Sequence, residues 1–193
     1  MLLAAGAGTR LGMGPKALLI QRGRPLVETI AATLMAGGCH DVIVVVGAGA
    51  SRVNNKARLD PYHVVVNGQW ASGMGSSYLA GADAAPHEDN LMMALVDQPG
   101  LTATTVNRLL TAHRPGRITS AAYAPTDGPG RLRRGHPIVI DRLLRNAVAA
   151  TVTGDTGARA FLQKNSGLVD QIDCSDQSTG EDVDTVEQLK RLL

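Results

Sequence analysis

The residues Leu3-Ala4-Ala5-Gly6-Ala7-Gly8-Thr9-Arg10-Leu11-Gly12 carry the most chemistry of any stretch in the chain. Residues 1–5 read as a buried strand that runs directly into a glycine loop over residues 6–14. Glycine lets backbone N–H groups approach a ligand closely, and successive N–H groups form a concave anion site. Arg10 and Lys16 add two cations to the same segment. Small residues, free amides and positive charge together suit a polyphosphate; a glycine-rich turn with incidental charges is the plainer alternative.

Two familiar phosphate loops do not fit. The dinucleotide fingerprint needs a third glycine where Leu11 stands, and an acidic residue at the end of the second strand, where Gly47 follows Val46. The P-loop needs Gly-Lys-Ser/Thr, whereas Lys16 lies between Pro15 and Ala17. Further on, Asp97 follows the apolar run Leu91 to Val96, which places it at the carboxyl end of an expected parallel strand. Ligands of open α/β sheets bind at that edge. Taken alone, an Asp there is as readily a cap or a turn residue.

A third pattern does fit. Leu-Ala-Ala-Gly-x-Gly-x-Arg-Leu-Gly followed by Pro15-Lys16 resembles the signature of the MobA-like NTP transferases, and among them the molybdenum cofactor cytidylyltransferase branch. The resemblance continues through Asn67-Gly68-Gln69-Trp70-Ala71-Ser72-Gly73-Met74-Gly75-Ser76-Ser77, Asp97-Gln98-Pro99, Gly135-His136-Pro137, Gly154-Asp155-x-Gly157-Ala158-Arg159 and Asp182-Val183-Asp184-Thr185. Val186 replaces a usual proline and Gln188 a family Asp, changes that leave the aspartates intact.

The resemblance implies a three-layer α/β fold: a mostly parallel twisted sheet with helices on both faces, like the nucleotide-diphospho-sugar transferases and broadly Rossmann-like. It implies Mg²⁺ on Asp97 and Asp184, and in-line attack of a substrate phosphate on the α-phosphorus of a nucleoside triphosphate. Arg10 and Lys16 would hold the triphosphate, while Leu3, the Ala4-Ala5-Gly6 backbone, Gly8 and Ser77 would bind the nucleotide and read its base. Ala-Ala-Gly in place of Gly-Gly points to CTP. The acceptor implied is a phosphorylated pterin cofactor, contacted by Trp70, His136 and Arg159, with a molybdoenzyme or its chaperone as a further partner. Each residue also has a structural reading. Trp70 packs readily into a core, Ser77 suits a helix start, and Asp184 suits the N-cap of a closing helix with Glu187 at the capping-box position.

The elements that must position these residues are legible in outline. Residues 42–46, 64–66 and 91–96 are short apolar β-forming runs, and helical patterns over residues 25–35, 76–84 and 102–113 separate or follow them. Strands separated by helices argue for a parallel sheet. Later, residues 118–123, 137–140 and 168–172 read as strands, 156–163 and 184–193 as helices, and Pro125 to Gly135 as a loop that is either lid or plain surface. One domain over 1–193 is expected, with 1–100 as the nucleotide-binding half and 101–193 as the acceptor-binding half.

Composition narrows the class. Of 193 residues 44% are hydrophobic and 19% charged, proportions typical of a folded soluble chain rather than a disordered one. The net charge of +2 gives no footprint for nucleic acid or membrane, and the short run Arg131, Arg133, Arg134 reads as a solvated loop. Cys39 and Cys174 stand at no motif spacing, which fits a reducing cytoplasm. The chain begins almost inside its first strand and shows no leader pattern. His40, His63, His87 and His113 lack ligand spacing and receive no role. Two other function classes stay open: an NAD(P)H-dependent oxidoreductase using the same glycine loop, and a non-catalytic carrier of a molybdenum cofactor.

Overall fold

The computed structural model describes the whole chain except Asp127 and Pro129. Its core is a seven-stranded sheet in the order β5-β4-β1-β6-β8-β7-β9. The first strand, β1 (Leu2–Ala4), is followed by a short hairpin, β2 (Ile20–Gln21) and β3 (Arg24–Pro25), and then by α1 (Leu26–Ala36). Next come β4 (Ile43–Val46), α2 (Ala50–Lys56), β5 (His63–Val66), α3 (Met74–Ala84), β6 (Leu91–Leu95) and α4 (Ala103–Ala112). The remainder is β7 (Ile118–Tyr123), β8 (Arg133–Ile140), α5 (Arg145–Ala149), α6 (Arg159–Lys164), β9 (Val169–Asp173) and a closing 3₁₀ run, Val186–Leu192.

Strand alternation divides the interior in two. Leu2, Val44, Val46, Met92 and Ala94 face α1, α2 and α4, while Leu3, Ile43, Val45, Leu91 and Met93 face α3, α5 and α6. The sheet is therefore covered on both faces, which is why β1 and β4 read as unbroken apolar runs. Adjacent strands are parallel except at β8, which runs antiparallel to both β6 and β7.

Local chemistry sets the helix ends. Pro25, with φ −55°, precedes α1, Gly37 and Gly38 end it, and Leu26, Val27, Ile30, Ala31 and Leu34 are buried. The Thr102 hydroxyl caps α4 by accepting from the Thr105 N–H at 3.1 Å. The loop expected over 125–135 is shorter than that, because Arg133, Arg134 and Gly135 already belong to β8; positions 127 and 129 lie outside the described residues.

The chain leaves β1 toward β4 and β5 on one side, then returns through α3 to β6 on the other. The carboxyl ends of β1 and β6 thus flank a topological switch point, the crevice where such sheets bind ligands. The scaffold's demands are testable at two isoleucines. Ile30 is fully buried, and Ile30→Ala is expected to cost about 3 kcal/mol, lowering Tm by roughly 10 °C. Ile20 on the hairpin is 55% exposed, and Ile20→Ala should stay within about 0.5 kcal/mol in the same thermal or urea melts.

Candidate active site

The phosphate loop begins where β1 stops. Ala5 is buried and Gly6 exposed, so the chain emerges from the sheet at the glycine. Gly8 has φ +64°, and a Cβ there would lie 2.2 Å from the Gly14 carbonyl oxygen, so the loop closes on itself only with glycine. The Leu11 and Gly12 N–H groups donate to the Gly8 carbonyl at 3.0 and 3.1 Å. Leu11 is buried as an apolar plug, which explains why a leucine stands where the dinucleotide fingerprint has its third glycine. No α-helix starts at the loop: a 3₁₀ turn, Lys16–Leu18, and the β2–β3 hairpin precede α1. A phosphate at this loop would be met by amides and cations rather than by a helix N-terminus.

Lys16 links the loop to the far end of the chain. Its ammonium donates to Asp97 Oδ2 at 2.7 Å and also to Asp184 Oδ1. Asp97 lies just past β6, and Asp184 is brought to it by Val183, whose side chain is fully buried and whose N–H donates to the Asp97 carbonyl at 2.9 Å. Burial alone would lower the Lys16 pKa, but the two carboxylates outweigh it and raise the value overall. The cap expected at Asp184 is not found. Thr185 heads the closing turn instead, and Gln188 Oε1 accepts from the Asp184 and Thr185 N–H groups at 2.6 and 3.1 Å.

Asp182 went unassigned in the sequence although its spacing held the signal: it shares a face with Asp184 across the buried Val183. Its Oδ1 accepts from Gln98 Nε2 at 2.9 Å, and burial together with the nearby Asp97 raises its pKa. The tripeptide Asp97-Gln98-Pro99 therefore has a use for each member, because the Pro99 carbonyl accepts from Gln21 Nε2 at 3.1 Å and ties the hairpin down.

Two cavities adjoin at Asp182. One of about 420 Å³ is lined by Leu3, Ala5, Gly6, Ala7 and Lys16 from the loop side, and by Trp70, Met74, Ser77, Leu95, Asp97 and Asp182. The second, about 390 Å³, is lined by Met74, Met93, Leu95, Arg134, His136, Ile138, Asp155, Ala158, Arg159, Leu162 and Asp182 among others. Met74, Leu95, Asp155 and Asp182 belong to both walls, so the cavities adjoin. The Ala4 side chain points to the opposite face of the sheet, and Arg10 is exposed, with no ion-pair partner among the described residues.

Trp70 is not the core residue its type suggested. It is 37% exposed and packs at the mouth of the loop-side cavity, against Gly47, where a Cβ would lie 2.5 Å from its own. Ser77 is buried, and its hydroxyl accepts from Asn67 Nδ2 at 3.0 Å. The glycine motifs explain one another: a Cβ on Gly73 or Gly75 would strike Gly154 at 2.5 or 2.7 Å, and Asp155 Oδ1 accepts from the Met74 N–H at 3.2 Å. Asn67, Asp155 and Asp182 are the site residues that sequence reasoning left without a role. Each lay inside a quoted motif.

His136 enters the second cavity from β8. Desolvation lowers its pKa to about 4 against the opposing pull of Asp97, so the ring is neutral near pH 7. A neutral imidazole donates one hydrogen bond and accepts another, which suits a carbonyl or ring nitrogen better than a phosphate.

Asp97 and Asp184 supply hard oxygen donors converging on one cation, Lys16 Nζ. Among the described residues no group of three or more His, Cys, Asp and Glu side chains is placed to hold a metal by itself. An ion such as Mg²⁺ takes one or two carboxylates and completes its shell with phosphate oxygens and water. Likewise, no helix among the described residues is long and apolar enough to cross a membrane.

An open sheet that gathers a glycine phosphate loop and strand-end aspartates at its switch point is the nucleotidyltransferase type of α/β fold. Residues 1–169 match the MobA-like NTP transferase domain, and the chain belongs to that family. It is 65% identical over 193 residues to the nicotine blue oxidoreductase of Paenarthrobacter nicotinovorans, an alignment covering 100% of this chain and 95% of that protein. Among solved structures it is similar to Rv0371c of Mycobacterium tuberculosis in complex with manganese, with TM-score 0.79, 26% identity, and coverage of 100% of this chain and 95% of that one. The fold is also that of a nucleotidyl transferase from Methanothermobacter thermautotroptrophicus, with TM-score 0.82 at 22% identity over 99% and 93% of the two chains.

Two outcomes test this geometry. Gly8→Ala is expected to weaken nucleotide binding and lower Tm, because the added methyl meets backbone in a left-handed conformation. His136 is charged in the unfolded chain below its ordinary pKa of 6.5 but stays neutral when folded down to about 4. Its stabilising contribution is thus complete above pH 6.5 and is lost as pH falls toward 4, by roughly 3 kcal/mol at most. Denaturant melts of His136→Gln across that window should show a shallower loss than the wild type; parallel curves would contradict the assignment.

Proposed function

We propose that the protein is a nucleotide-dependent oxidoreductase that passes a hydride from a nicotinamide nucleotide to a flat, conjugated acceptor. The observation that carries this is the 65% identity, end to end, with a protein named for its oxidoreductase activity on nicotine blue. Reaction class follows a whole-length match of that depth more closely than it follows a shared fold. A compound that absorbs visible light does so through an extended π system, and such a ring system is flat and largely apolar.

The site supports the reading. The loop amides and Lys16 line a cavity that a nucleotide's phosphates would enter, with the exposed Arg10 on the same loop and Trp70 beside the cavity to pack on a ring. Met74, Met93, Leu95, Ile138 and Leu162 give the adjoining cavity an apolar wall, against which a conjugated acceptor lies. The neutral His136 hydrogen-bonds an acceptor carbonyl or ring nitrogen, and Arg134 and Arg159 favour the negative charge that builds on the acceptor as electrons arrive. When bound, the nicotinamide supplies the hydride from its C4, and a solvent proton completes the reduction. Residues 1–100 then serve the nucleotide and 101–193 the acceptor, with Asp182 and Asp184 crossing to the nucleotide side.

A second reading has its own observation, the Lys16–Asp97–Asp184 contact in a chain of the NTP transferase family. In it, Asp97 and Asp184 would hold Mg²⁺, which would supply positive charge to the α-phosphate of a nucleoside triphosphate, favoured to be CTP. An already ionised phosphate on a molybdopterin-type cofactor displaces pyrophosphate to receive CMP. Catalysis is then positioning and charge neutralisation, with no strong base needed.

One paired assay separates the two. Purified protein is offered NADH or NADPH with a quinonoid dye, following loss of the dihydronicotinamide absorbance, and separately CTP or GTP with Mg²⁺, following pyrophosphate. Dye-dependent NAD(P)H oxidation that survives a chelator is the expected result. Asp97→Asn should then raise the nucleotide KM while kcat stays within about tenfold. Pyrophosphate release that a chelator abolishes and Asp97→Asn cuts by about a hundredfold or more, with no dye reduction, would overturn the first reading in favour of the second.

A further inference from the structure

The ammonium of Lys16 stands where a divalent ion would have to stand. It touches both Asp97 and Asp184, and its side chain is only 14% exposed, against 20% and 37% for the two carboxylates. With Lys16 in place the trio carries one net negative charge; with Lys16 removed the pair carries two. A divalent cation and an ammonium cannot share the same carboxylate oxygens at such distances without strong repulsion.

The backbone around Lys16 is fixed while its side chain has somewhere to go. The Leu18 N–H donates to the Pro15 carbonyl and the Leu19 N–H to the Lys16 carbonyl, both at 3.0 Å, and the Gln21–Pro99 hydrogen bond holds the hairpin to the Asp97 turn. Lys16 lies two residues past the loop that ends at Gly14, and it lines the same cavity as Gly6 and Ala7. A polyphosphate on the loop therefore offers its flexible stem a second anion within the same cavity.

We propose that Lys16 is a counter-ion lock on the carboxylate pair. In the ligand-free protein it satisfies Asp97 and Asp184; a nucleotide's phosphates draw it off, and only then do the two aspartates hold a divalent cation. Metal thus enters with the nucleotide and not before it. The inference rests on reading Asp97 and Asp184 as cation ligands, a role that either reaction can use to shield a nucleotide's phosphates.

Free Mn²⁺, counted by electron paramagnetic resonance during titration of the full chain, reads the lock without any turnover. Wild type is expected to bind Mn²⁺ weakly alone and tightly with NADPH or CTP, after subtraction of the Mn²⁺ that the nucleotide holds in a protein-free control. Lys16→Met should bind Mn²⁺ alone at least about tenfold more tightly than wild type, because the pair has lost its counter-ion. Lys16→Arg, whose guanidinium still bridges carboxylates, should remain weak. Adding Asp97→Asn to Lys16→Met should erase the gain. If Lys16→Met fails to fold by circular dichroism, Lys16→Gln makes the same test with a neutral amide that can still hydrogen-bond. Neutral variants that bind free Mn²⁺ no more tightly than wild type, while wild type with either nucleotide binds it well, overturn the lock alone. Absence of Mn²⁺ binding in every protein, alone and with each nucleotide, removes the metal reading itself and the lock with it.

Discussion

Repulsion among Asp97, Asp182 and Asp184 is the constraint around which the ligand end of this protein is arranged. Three carboxylates brought together in a partly desolvated crevice are unfavourable unless each is given a donor or a cation. The chain meets that need from two places: Lys16, whose ammonium bridges Asp97 and Asp184, and Gln98, whose amide donates to Asp182. The backbone N–H of the buried Val183, donating to the Asp97 carbonyl, sets where the C-terminal segment lies. One set of contacts thus neutralises the site and closes the fold, joining residues 16, 97 and 184 although Lys16 and Asp184 are 168 residues apart.

This explains which parts were legible in the sequence. The buried strands were, because five apolar β-formers in a row around Val44 report burial on both faces by themselves. The Thr102 cap and the Gly37-Gly38 stop are equally local. By contrast α2 has a single buried residue, Val53, and two asparagines of poor helix propensity, so its pattern held almost no signal. The reversal of β8 is decided by pairing partners far away in sequence. The pattern over 184–193 reads as a helix, whose period would put Val186, Leu189 and Leu193 on one face. The 3₁₀ winding instead buries Leu192 and leaves Val186 58% and Leu193 97% exposed.

For the site, residue types were easier to find than their company. Nothing local in Gly73-Met74-Gly75 says that its missing side chains make room for Gly154, yet that contact is what seats Asp155 on the Met74 N–H. Trp70 was misplaced for the opposite reason: a lone Trp is usually core, and the glycine that seats it on the surface, Gly47, is 23 positions away. Motifs in the right order identified the family, but each motif's physical meaning lies in a partner motif.

The scaffold offers phosphate positioning, and positioning does not choose a reaction. A loop of amides with two cations holds a triphosphate or the diphosphate of a dinucleotide by the same forces, and strand-end carboxylates with a divalent ion shield either. The choice falls to the second cavity. An acceptor phosphate would arrive as an anion and would be best met by buried cations. β8 instead brings a neutral imidazole there, on a wall shared by methionine, leucine and isoleucine with the half-buried Arg134, while Arg159 stays exposed. A wall of that kind desolvates a conjugated ring at little cost and a phosphate at a large one. That difference is the physical ground on which the proposed reading, transfer of electrons, rests against transfer at a phosphorus centre.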